Sequence, residues 1–175
     1  MPLPLRILVA EDNPDDEALL RFAFKSTRIV AQVHYVRDGQ QAIDYLAGKP
    51  PFENPVEFPV PTLLLLDLRM PGVDGFGVLK WLGRHPELRG LVSVVVLSGT
   101  VCREDIDRAC ALGAQFCLSK PQNPEQFIHL ARRIEQVWND LQQWSVFSGE
   151  PCPQTRSSTS KTLKRPGHSA TEKVG

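Results

Sequence analysis

Short apolar runs alternate along this chain with stretches in which apolar residues return every three or four positions. The first rhythm marks strands and the second helices. Leu63 to Leu66, four leucines in a row, is the plainest run. Periodicity alone leaves such a run open between strand and buried helix. Pro59 and Pro61 before it and Pro71-Gly72 after it leave too little room for a helix. It therefore predicts a central strand buried on both faces, the habit of parallel sheets. Residues 6–10, 32–36, 92–97 and 115–119 supply four more strands.

The helical stretches between them carry their own punctuation. Asn13-Pro14-Asp15-Asp16 opens the first helix, with Asn13 as N-cap, Pro14 at the first helical position and acids in the first turn. Asp15 and Asp16 are expected there as helix-dipole partners instead of metal ligands. Leu19, Leu20, Ala23 and Phe24 form its buried stripe. Asp38 caps a second helix reaching about Ala47, with Gln41 as capping-box partner. A third runs from Gly75 to His85 with Phe76, Leu79 and Leu82 facing the sheet, and a fourth from Arg103 to Leu112, closed by Gly113. Asn123-Pro124-Glu125-Gln126 begins the last. Five strands alternating with five helices predict an α/β doubly wound parallel sheet. Residues 49–61 hold prolines at 50, 51, 55, 59 and 61, which forbid a helix. They read as a semi-rigid surface insertion, longer than the usual helix-to-strand connection.

Composition adds one folded domain, residues 1–149, and a remainder, 150–175. The remainder is rich in Ser, Thr, Pro and Lys, with Leu163 and Val174 as its large apolar residues, so it predicts a disordered polar tail. Formal net charge is zero but uneven. Residues 1–150 hold 15 Lys+Arg against 19 Asp+Glu, giving −4; residues 151–175 hold 5 against 1, giving +4. A mildly acidic domain argues against nucleic-acid binding, and the tail is expected to be solvated instead of seated on a membrane. No stretch approaches the roughly 18 consecutive apolar residues of a membrane span, and residues 1–6 lack signal-peptide architecture. Cys102, Cys110, Cys117 and Cys152 form no CxxC pair and read as reduced thiols in a cytoplasmic protein.

Candidate chemistry follows from the strand ends. Parallel strands gather their carboxyl ends on one edge, which is where α/β sheets place ligands. That edge collects Glu11, Asp12, Asp67, Ser98 and Lys120. Taken alone, Asp67 reads as a loop-starting Asx residue, Ser98 as a strand-end hydroxyl and Lys120 as an exposed lysine. Taken together they place three carboxylates side by side, which destabilises the fold unless a cation enters. Hard oxygen ligands of this kind suit Mg²⁺.

With Glu11-Asp12, Asp67, Met70-Pro71, Asp74-Gly75, Ser98 and Lys120-Pro121 on one chain, residues 5–144 resemble a receiver domain of two-component signalling. The spacing is similar to the small regulators that partner phytochrome-type sensor kinases. The resemblance implies a flavodoxin-like (βα)5 sheet of order 2-1-3-4-5. It implies that Asp67 takes a phosphoryl group from a histidine kinase, possible kinases including a bacteriophytochrome. It implies Mg²⁺ held by Glu11, Asp12, Asp67 and the backbone carbonyl of Arg69. Lys120 and Ser98 are implied to meet the phosphoryl oxygens, and Lys120-Pro121 to be cis. Counting back from Lys120, the family's switch aromatic falls on Cys117, while Phe116 should point into the core. Such a protein is a regulator that catalyses only its own phosphorylation and dephosphorylation. Its output is a protein contact or a phosphorelay, because no effector domain follows.

Similar regulators dimerise through the face of the fourth helix, fifth strand and fifth helix. Here the last helix, from Pro124 to Trp144, would be about 30 Å long against about 17–20 Å for a strand. Its final turns are expected to overhang, leaving Trp138, Leu141, Trp144 and Phe147 partly in water as the centre of a two-fold homodimer. Three other readings share parts of the pattern. A haloacid-dehalogenase-type Mg²⁺-dependent phosphatase wants an acid where Arg69 stands. A flavodoxin-like electron carrier wants a phosphate cradle where Glu11-Asp12 would repel one. A silent pseudo-receiver used for docking would have lost part of the acidic set.

Overall fold

A computed structural model describes residues 4–27, 29–99 and 102–147, with the backbone alone for 141–147. The elements run β1 Leu5–Ala10, α1 Pro14–Ser26, β2 Ala31–Val36, α2 Gly39–Leu46, β3 Leu63–Asp67, α3 Gly75–Gly83, α4 Pro86–Arg89, β4 Ser93–Ser98, α5 Arg103–Ala111, β5 Phe116–Ser119 and α6 Pro124–Phe147. All strand pairs are parallel and the order is β2-β1-β3-β4-β5, as the sequence implied. Asn13 and Asp38 cap their helices as the sequence announced, and Asp74 caps α3 as well. Asn13 accepts from the Asp15 amide at 2.9 Å, Asp38 from Gln41 at 2.7 Å and Asp74 from Gly77 at 2.7 Å.

β3 is the axis of the core. Leu63 to Leu66 are all fully buried, and their pleat sends alternate side chains into opposite layers. Leu64 and Leu66 join the layer formed with α2, α3 and α5, and Leu63 and Leu65 the layer formed with α1 and α6. Two glycines let the layers close. A Cβ at Gly39 would overlap the carbonyl of Val73, to which the Gly39 amide donates at 3.2 Å. A Cβ at Gly75 would overlap the carbonyl oxygen of Asp67 and come within 2.8 Å of Leu68 Cα.

The structure departs from expectation at four places. A sixth helix, α4, fills the stretch after α3, because Pro86 at its first position starts one turn that lacks room to continue. Lys120-Pro121 is trans; among the described residues the cis bond lies at Pro50-Pro51. Residues 49–61 carry more than a surface insertion. Phe52 and Phe58 meet edge to face at 5.3 Å, both lean on Tyr45 of α2, and Phe58 also meets His34 of β2. The Tyr45 hydroxyl donates to the Pro59 carbonyl at 3.1 Å. Proline stiffness and an aromatic anchor together fix this long loop on the outer layer.

The fourth departure corrects the expectation for Trp138. It is buried at 8% exposure in the same cluster as Leu5, Phe24 and Val137, not partly in water. α1 packs along α6 and lengthens the layer beyond the sheet itself. Trp138 stands 14 residues past Pro124, about 21 Å, which is still within that layer. The other expected dimer residues, Leu141, Trp144 and Phe147, have side chains outside the described set, and the expected tail lies outside the described residues.

Candidate functional site

Four of the five strands deliver a residue to the same edge. Glu11 follows the last residue of β1, Asp67 is the last of β3, Ser98 the last of β4, and Lys120 follows β5. Register keeps them level: Ala10 pairs with Leu66, Asp67 with Leu97 and Ser98 with Ser119. The Lys120 amide donates to the Ser98 carbonyl at 2.9 Å, so the ends of β4 and β5 are tied. Gly75 N–H donates to the Leu68 carbonyl at 3.1 Å, closing the loop after β3 onto the start of α3.

Glu11, Asp12 and Asp67 each offer an oxygen, and these oxygens lie within 4.8 Å of one another. Glu11 and Asp67 are buried, at 2% and 4% exposure, while Asp12 is the open member. Hard carboxylate oxygens at this separation fit Mg²⁺ or Mn²⁺. Lys120 Nζ donates to Asp67 at 2.6 Å and to Glu11 at 2.7 and 2.8 Å. The second Asp67 oxygen accepts from the Arg69 amide at 2.9 Å, and Glu11 accepts from the Asn13 amide at 3.1 Å.

This burial has electrostatic consequences. Desolvation lifts Glu11 from its ordinary value to about 6, against the pull of Lys120. Burial alone would lower Lys120, but its hydrogen bonds to Asp67 and Glu11 outweigh that and raise it. The ammonium is therefore a fixed positive charge.

The expected set thus comes together: Glu11, Asp12, Asp67, Ser98 and Lys120 share one edge. Arg69 is present through its backbone, while its exposed guanidinium pairs with Asp105 of α5 at 3.1 Å. That bridge from the β3–α3 loop to α5 had no signal in the sequence. Cys117 is half-buried against the α2–α3–α5 layer, and Phe116 lies on the opposite layer, as strand alternation required. Burial pushes the Cys117 thiol up to about 12, and it hydrogen-bonds with Cys110. Asp16 stands in the acidic first turn of α1 and outside the ion cluster, as expected, and it makes one further contact that the sequence did not announce. Its carboxylate lies 3.2 Å from Lys120 Nζ, so it faces the site as well as the helix dipole. The helical phase carries a signal for that contact: Asp16 stands four residues before Leu20, in line with the buried stripe though itself only partly shielded.

A family model described as the response regulator receiver domain matches residues 7–132. FilR2 of Methanothrix harundinacea, a probable methanogenesis regulatory protein, is 33% identical over 140 residues, covering 77% of this chain and 84% of its own length. The response regulator Rcp1 of Synechocystis is 31% identical over 135 residues, covering 77% and 89%. Its Mn²⁺-bound crystal structure superposes with a TM-score of 0.69, covering 77% of this chain and 94% of that one. The phosphorylated cyanobacterial phytochrome response regulator RcpA superposes with a TM-score of 0.71 at 31% identity, covering 79% and 96%.

Proposed function

This chain belongs to the response regulator receiver domain family, and from that premise we propose that it accepts a phosphoryl group on Asp67 from the phosphohistidine of a phytochrome-type sensor kinase. The observation that carries the reading is the clamp on Asp67. One carboxylate oxygen is held by the Arg69 amide and the other by Lys120, at the buried end of the central strand. A nucleophile fixed on both oxygens attacks with little loss of orientational freedom. A P–O bond to Asp67 forms as the P–N bond to the kinase imidazole breaks.

Phosphoryl transfer needs positioning and charge neutralisation more than covalent help from the protein. Glu11, Asp12 and Asp67, with the Arg69 carbonyl, would hold Mg²⁺ or Mn²⁺, and the bound ion would neutralise charge on the phosphoryl oxygens. Lys120 supplies a point charge to one phosphoryl oxygen, and the Ser98 hydroxyl a hydrogen bond to another. Output then passes through a protein contact or a further relay step. The test is incubation with acetyl phosphate and Mg²⁺ followed by intact-mass measurement. Wild type gains one phosphoryl mass and Asp67→Asn gains none; ordinary labelling of the Asn variant overturns the assignment.

A further inference from the structure

We propose that Asp16 is a positioning residue for this phosphoryl acceptance, holding the Lys120 ammonium at the place where a phosphoryl oxygen arrives; the inference rests on the Asp67 reading. An ammonium has three N–H donors. Lys120 Nζ meets three carboxylates, Asp67 at 2.6 Å, Glu11 at 2.7 Å and Asp16 at 3.2 Å. Two of the three have a second duty. Asp67 is the acceptor, and Glu11 belongs to the cluster suited to a divalent ion. When both turn to those duties, their hold on the lysine weakens. Asp16 stands outside the ion cluster and on a separate element, α1. It is the carboxylate that keeps its contact through the reaction.

The anchor matters because of what it holds. Lysine carries its charge on a flexible four-carbon stem, and an untethered ammonium samples many positions. Preorganised charge stabilises a transition state because it has no reorganising left to do. The α1 end that bears Asp16 is itself fixed by the Asn13 cap and by the buried stripe of Leu20, Ala23 and Phe24. Asp16 is partly shielded, with 23% of its side chain exposed, and Lys120 more so at 13%. Asp15, its neighbour in the same helical turn, is exposed and serves the helix dipole equally well. The two acids are therefore distinguishable by experiment.

The test measures the rate of phosphorylation by acetyl phosphate at saturating Mg²⁺ for wild type, Asp15→Asn, Asp16→Asn and Asp16→Glu. Loss of the negative charge behind this charge-assisted hydrogen bond should slow Asp16→Asn about tenfold. Asp15→Asn should match wild type, and Asp16→Glu, which restores the carboxylate, should recover most of the rate. Saturating Mg²⁺ removes any difference in ion affinity from the comparison. A wild-type rate for Asp16→Asn overturns the inference, as does equal slowing by Asp15→Asn, or an Asp16→Glu variant no faster than Asp16→Asn. A wild type that takes no phosphoryl group removes the Asp67 reading itself, whereas normal wild-type labelling with an unaffected Asp16→Asn removes this inference alone.

Discussion

Replacing Lys120 by methionine keeps the volume of the side chain and removes the cation that lies between two buried carboxylates. Glu11 and Asp67 are 2% and 4% exposed, and Nζ sits 2.7 and 2.6 Å from them. Taking away one partner of a buried ion pair costs about 3–5 kcal/mol, because the charge left behind has neither water nor partner. Two features move the expectation to the lower end. Lys120 is itself 13% exposed, and the orphaned carboxylates can shed charge by protonation, for which Glu11 at about 6 is already poised. A loss of about 3 kcal/mol is a fall in melting temperature of roughly 6–12 °C for a domain of this size. A divalent cation would supply the missing charge. Because an ion bound only by the native state stabilises it by mass action, Mg²⁺ should raise the melting temperature of the variant more than that of wild type. Calorimetry in EDTA and in millimolar Mg²⁺ measures both. A fall under about 2 °C in EDTA, or a variant whose melt ignores Mg²⁺, refutes the picture of Lys120 as the internal counter-ion of the site.

Three further expectations follow from other parts of the molecule. The folded pKa of Glu11, about 6, lies above its ordinary value of 4.5, so the folded state binds this proton more tightly than the unfolded state. The associated stability, about 2 kcal/mol, is fully present below pH 4.5 and lost as pH rises through 6. Urea titrations in EDTA should show this segment in wild type and lose it in Glu11→Gln; superimposable profiles would contradict the assignment. Trp138→Ala should cost about 3–5 kcal/mol in urea unfolding, as for a buried aromatic, and leave the mass seen by light scattering unchanged. A cost below about 1 kcal/mol would put Trp138 back on the surface. Phe58→Ala should speed amide exchange across residues 49–61 at an unaltered phosphorylation rate, and unchanged exchange would show that the aromatic cluster does not hold the loop.

How far the sequence could be read is clearest at particular residues. Leu63–Leu66 between prolines identified the central strand, and parallel pairing then dictated that Glu11, Asp67, Ser98 and Lys120 share an edge. Those inferences needed only period, breakers and the geometry of parallel sheets. The acids of the first turn announce Asp16 as a dipole partner, whereas its contact with Lys120 joins residues 104 apart and is hinted at by helical phase alone. Helix length set against strand length puts Trp138 beyond the sheet; the flank supplied by α1 is a tertiary fact. The Arg69–Asp105 bridge and the packing of Phe52 and Phe58 on His34 and Tyr45 join residues far apart in sequence. Neither has a periodic signature to read.

The leucines of β3 join the two halves of the interior as well as filling them. Since Leu64 and Leu66 belong to one layer and Leu63 and Leu65 to the other, neither layer can come apart while its neighbour stays whole. Unfolding of the described domain is therefore expected to be a single cooperative event, which equal calorimetric and van't Hoff enthalpies would check. Asp67 terminates that shared strand. Occupancy at one carboxylate therefore raises the stability of the entire domain at once, so a single melting curve suffices to screen for whatever binds there.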